Sequence, residues 1–149
     1  MNKESYDLTG NPNHMEFQFV SAGPNGKIKK AIIYTLRINQ DFIFYNLGFG
    51  DLNDETGTLD DLSQSNNGDR DKILATVAQT VLEFTNYIPG AIVYAEGSTP
   101  ARTRLYQMGL ASSLEEIEKI FDIYGLVGGE WLPFERNVNY NAFMVYRKY

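Results

Sequence analysis

The chain contains no cysteine, which excludes disulfides, zinc–thiolate sites and thiol nucleophiles. It has a single histidine, His14, with no second imidazole to work beside it, so His14 reads as a surface or strand-edge residue. No stretch approaches the about eighteen consecutive apolar residues of a membrane span, and the N-terminus lacks an apolar signal region. A cytoplasmic protein with no membrane contact is the expectation. Positive charge is also scarce: 13 Lys and Arg stand against 19 Asp and Glu, a net charge of −6. No global attraction to nucleic acid follows from that balance.

Aromatic and apolar residues are plentiful. Of 149 residues 43% are apolar and 13% aromatic, with ten tyrosines and nine phenylalanines. A single domain over residues 1–149 is expected, able to bury roughly 70% of its unfolded surface.

Met1 to Asn13 is polar and reads as a flexible N-terminal arm. Met15 to Val20 alternates around Phe17 and Phe19, the period of a half-buried strand. Gly23-Pro-Asn-Gly26 is a turn, and Lys27 to Ile38 is a second strand. Phe42 to Phe49 makes the third, ended by Gly48 and Gly50. Tight turns between these strands give an antiparallel meander. Residues 51–69 form a long acidic loop holding six Asp and Glu with no Lys or Arg. Asp51-x-x-Asp54-Glu55 lacks the alternating oxygen ligands of an EF-hand, so no metal is expected there.

Arg70 to Ile88 repeats Ile73, Val77, Val81, Phe84 and Ile88 at helical steps, with Asp69 as a cap and Pro89-Gly90 as a stop. Ser112 and Ser113, each followed by Glu three residues on, suggest a capping box. The helix they open should end before Gly125. Leu126 to Phe134 is a Gly-broken strand, and Ala142 to Tyr149 a final one. The order is βββαβααββ, and a strand–helix–strand crossover makes the fourth strand parallel to one of the first three. The fold class is therefore α+β, a mixed and mostly antiparallel sheet with packed helices.

Chemistry concentrates in Ala91 to Leu110. A short strand, Ala91 to Ala95, meets Gly97-Ser-Thr-Pro100, and a helix carrying Arg102, Arg104 and Tyr106 follows. Ser98 or Thr99 can cap that helix, and Pro100 suits its first turn. A helix start with two nearby arginines favours anions. Arg102 and Arg104, two residues apart, point to different helix faces.

The element order, with Thr99, Arg102, Leu105-Tyr106 and Gly109-Leu110 after a short strand, resembles the core of GNAT-type acyl-CoA N-acyltransferases. The likeness spans Phe42 to Leu110. The whole chain also resembles a family of small uncharacterised bacterial domains marked by Gly97-Ser-Thr-Pro-Ala-Arg-Thr-Arg-Leu-Tyr106. The GNAT likeness implies a gap between the third and fourth strands and acetyl-CoA or CoA as ligand. It further implies that Tyr106 protonates a departing thiolate. Gln64-Ser-Asn-Asn-Gly68-Asp-Arg70 stands where that family binds pyrophosphate, which assigns Gly68 and Arg70 to the cofactor beside Ser98, Thr99, Arg102 and Arg104. The family's second glycine there is replaced.

Two functional readings stand side by side. One is a non-catalytic or degenerate binding module that meets a protein partner or a second copy through its tyrosine-rich strands, Tyr140, Tyr146 and Tyr149 among them. The other is a divergent acyl-CoA-dependent N-acyltransferase that binds a nucleotide-bearing anion.

Overall fold

The computed structural model describes residues 4–10, 13–40, 42–53, 55–60 and 67–148. Its elements in chain order are β1 (Thr9–Gly10), β2 (Glu16–Gly23), β3 (Gly26–Asn39), β4 (Phe42–Leu52) and β5 (Leu59–Asp60). They continue as α1 (Arg70–Tyr87), β6 (Val93–Ala95), α2 (Pro100–Ser112), α3 (Leu114–Ile120), β7 (Phe121–Val127), β8 (Glu130–Pro133) and β9 (Ala142–Arg147). Among the described residues the strands form one sheet in the order β1-β2-β3-β4-β6-β9-β7-β8, with β5 added to β4. All pairings are antiparallel except that of β4 with β6. The expected α+β class and parallel crossover are what the chain adopts.

Alternation along the strands decides what the helices cover. Phe17, Phe19, Ile32, Tyr34, Leu47, Val93, Ile123 and Phe143 point to one face and pack with Val77 and Phe84 of α1, Tyr106 of α2 and Leu114 and Ile117 of α3. Tyr34 stacks on Phe84 with centroids 4.2 Å apart, and its hydroxyl lies 2.8 Å from Thr80 Oγ1. That bond satisfies a polar atom at the centre of the core, where an unpaired one would be costly.

Several expectations need correction. The helix after Ser113 stops at Ile120, and Phe121–Val127 is a strand paired with β9 over six positions. Phe121 and Ile123 fit the strand period as well as the helical one, and sheet pairing decides between them. Leu126 to Phe134 is not one broken strand. It holds the end of β7, a turn at Gly128 and Gly129, both at positive φ, and the whole of β8, paired as a hairpin. Neither serine forms a capping box: Ser112 bonds back to the Gly109 carbonyl, and Ser113 makes no side-chain cap.

The strand expected to end at Gly48 and Gly50 continues through both to Leu52. The acidic loop is partly regular, because Leu59–Asp60 pairs back on Asp51 and Leu52. Asp54 and residues 61–66, Gln64 included, lie outside the described residues, as does Tyr149.

Residues 4–10 of the expected arm are docked. Tyr6 stacks on Phe19 at 5.4 Å, and its N–H donates to Thr76 Oγ1 at 2.8 Å. Its hydroxyl donates to Asp69 at 2.5 Å.

Candidate functional site

The site begins where two parallel strands part. Tyr45, Asn46 and Leu47 of β4 stand opposite Val93, Tyr94 and Ala95 of β6, and there the pairing ends. β4 runs on to Leu52, while the chain leaves β6 through Glu96–Thr99 into α2. Gly97 makes that exit. A Cβ on it would lie 2.3 Å from the Thr103 amide nitrogen, so only glycine lets the turn close onto the helix. The Gly97 N–H then donates to Thr103 Oγ1 at 3.0 Å. Thr99 caps α2, accepting from the Arg102 N–H at 3.2 Å, and Pro100 occupies the first turn.

Arg102 reaches from α2 into the opening. Its Nη1 donates to the Phe49 carbonyl at 2.9 Å, and its guanidinium lies 5.5 Å from the Phe49 ring centre. Lys30 approaches the same ring at 5.7 Å. Lys30 sits on the helix-facing side of β3, is only 4% exposed, and pairs with Asp51 across the β3–β4 ladder at 2.5 Å. A buried ammonium needs such a partner. The sequence signal for Lys30 is a charge in register with the core positions Ile32 and Tyr34.

The start of α1 forms the far wall. Gly68 has φ +70, a conformation that glycine adopts without penalty. Asp69 holds the N-cap position expected of it but caps nothing with its side chain. Its carboxylate instead accepts from the Tyr6 and Ser21 hydroxyls, each at 2.5 Å. Asn67, also buried, ties this start to the β2–β3 hairpin through Asn25, Ser21 and Gly26.

Between these walls lies a cavity of about 1080 Å³, whose lining includes Lys30, Phe49, Gly68, Arg70, Lys72, Arg102 and Tyr106. Glu4, Asp69 and Asp71 line it too, giving four cationic and three acidic side chains. A second, largely apolar hollow of about 200 Å³ lies between the helices and the sheet and shares Tyr106, Asp71, Leu74 and Val77 with the first. Tyr106 stands between the two, four residues after Arg102 on the inward face of α2. Beneath it, burial pushes the Tyr34 phenol far above its ordinary value, the Thr80 bond opposes this, and nearby Tyr106 adds to it.

Of the residues singled out from sequence, Gly68, Arg70, Arg102 and Tyr106 converge on the larger cavity. Ser98, Thr99 and Arg104 do not line it. Thr99 is spent on the cap, and Arg104 projects outward as helix spacing requires. Tyr140, read as an interface residue, is buried against Phe134 and Phe143. Tyr124 and Tyr146 stack on the opposite sheet face, and the bond between their hydroxyls pushes the Tyr146 phenol up to about 12. Among the described residues no cluster of His, Asp or Glu is arranged to hold a metal ion. No helix among them is long and apolar enough to cross a membrane.

Residues 2–148 match a family of unknown function, DUF6934. The chain belongs to that family. No curated protein and no solved structure matches this DUF6934 chain. The family match spans both walls of the cavity and the docked N-terminal residues, so the site belongs to the DUF6934 domain as a whole.

Proposed function

We propose that this DUF6934 domain is a GNAT-like binding module, and that its larger cavity takes acyl-CoA or another nucleotide-bearing anion without transforming it. The observation that carries the reading is the parallel β4–β6 pair, parted after three positions beside the start of the longest helix, with a cavity of about 1080 Å³ in the opening. First-turn amides of α1, Arg70 and Arg102 provide the electrostatic attraction for a diphosphate.

Binding without chemistry is favoured by the state of the nearby groups. His14, the only imidazole, stacks on Tyr87 and does not line the cavity. Of the described carboxylates of the lining, Asp69 is held by Tyr6 and Ser21 and Glu4 by Lys72, while Asp71 lies 4.0 Å from Arg70. Asp69, so held, is a poor general base for an acceptor amine.

Titration calorimetry and thermal unfolding with CoA and acetyl-CoA test this. The expected result is binding and a rise in Tm at millimolar ligand, because a ligand of the native state stabilises it. The absence of both binding heat and a Tm shift at millimolar CoA overturns the proposal.

Acyl transfer is the second reading, favoured by the place of Tyr106 between the two cavities. There a phenol could protonate a departing thiolate. Release of free CoA in the presence of an amine panel, lost in Tyr106→Phe with acetyl-CoA affinity kept, would replace the binding-only reading.

A further inference from the structure

Two hollows of different character adjoin along Asp71, Leu74, Val77 and Tyr106. The larger holds Lys30, Arg70, Lys72 and Arg102, while the smaller is walled by Leu47, Ala78, Val81, Val93 and Phe143. Tyr106 lines both. Native interiors leave few voids larger than a water molecule. A largely apolar space of about 200 Å³, open beside a charged cavity, offers apolar wall for a ligand's apolar group to cover. A cavity of about 150 Å³ with such walls accommodates a benzene ring. The hollow therefore suits roughly eight heavy atoms by the same measure.

We infer that the ligand is an amphipathic anion whose apolar acyl group, about six to eight carbons long or aromatic, enters the smaller hollow past Tyr106. This rests on the binding reading above and names the substrate class within it. An acetyl group would leave most of the hollow empty. Each further methylene buried there should tighten binding roughly fourfold until the space is filled.

The test is calorimetric titration of the full chain with CoA, acetyl-CoA, butyryl-CoA and octanoyl-CoA. Affinity should climb with chain length, with octanoyl-CoA at least about a hundredfold tighter than acetyl-CoA. Ala78→Phe, which fills the hollow from α1, should reduce that preference to within a few-fold. The wild-type series stands by itself if the variant does not fold. Equal affinity for all four ligands overturns the acyl-pocket inference and leaves the binding reading intact. No binding of any of the four overturns both.

Discussion

The guanidinium of Arg102 donates to the backbone carbonyl of Phe49 at 2.9 Å and also lies 5.5 Å from the centre of that residue's ring. Along β4, Tyr45 turns its N–H toward Ile92 of the neighbouring segment, and Asp51, six residues on, pairs with Asp60. Phe49 has the same parity as both, so its carbonyl faces the side that β6 has left. A side chain from α2 supplies the hydrogen bond that a strand would otherwise give.

Replacing Arg102 with Met should therefore cost stability as well as ligand affinity. A charge-assisted bond contributes about 1.5–3 kcal/mol, and the ring contact about 0.5–1 kcal/mol more. A Tm lowered by roughly 4–10 °C is expected in calorimetry. Arg102→Lys should recover only part of it, since an ammonium lacks the planar fork. An unchanged Tm would show that water replaces the guanidinium at no cost.

Gly97→Ala addresses the turn itself. The new methyl would meet the backbone of Arg102 and Thr103 at 2.3–2.6 Å, and backbone cannot rotate away as a side-chain tip can. Overpacking of this kind costs about 1–3 kcal/mol or more. Urea unfolding should show a lower midpoint, with the loss concentrated in the start of α2. Exchange of the Gly97 and Arg102 amides should accelerate before that of the β3–β4 ladder.

How much of this was legible beforehand depends on the range of the forces involved. The βββαβ order, a cap at Ser98 or Thr99 and the parallel crossover rest on local periodicity and chain connectivity, and they are readable. Phe121 to Tyr124 reads as the end of a helix because its apolar residues suit either period, and its partner β9 lies some twenty residues away. Gly68 and Arg70 lie more than thirty residues before Arg102 and Tyr106, and their common cavity follows from the packing of α1 and α2. Lys30 needed the cross-strand register that places it opposite Asp51. The docking of Tyr6 on Asp69, 63 residues apart, leaves no mark in the local pattern of either segment.

Asp69→Ala tests that docking. The carboxylate accepts two hydroxyls; its loss takes the acceptor from the fully buried Ser21, while the Tyr6 hydroxyl keeps the Ala22 carbonyl at 3.3 Å. The expected cost is about 2–3 kcal/mol, with faster hydrogen exchange at Tyr6, whose N–H is held by Thr76. If Tyr6 exchange is unaltered, stacking on Phe19 alone anchors the N-terminal residues.

Alkaline pH should weaken the fold through Tyr34. Burial raises its phenol in the folded state far above the unfolded value of 10.0, so above that pH the unfolded chain releases a proton that the folded chain retains. Tyr34 thus contributes its full stabilisation below pH 10 and loses it as pH rises further, at about 1.4 kcal/mol per unit. In Tyr34→Phe the fall between pH 10 and 11 should be smaller by about 1 kcal/mol, since the unfolded phenol is already half ionised at pH 10. The same variant should be about 1 kcal/mol less stable at pH 7, having lost the Thr80 bond. Parallel pH profiles for the two proteins would remove Tyr34 from this account.

The brevity of β6 bears on mechanics. Among the described residues, Val93 to Ala95 carry all the ladder contacts between the N-terminal strands and the C-terminal ones. Pulled apart from its two ends, the molecule should tear first along this seam, with α2 peeling away from β4 before either flanking hairpin loosens. Small scissoring about the same seam would change the width of the opening that Arg102 spans.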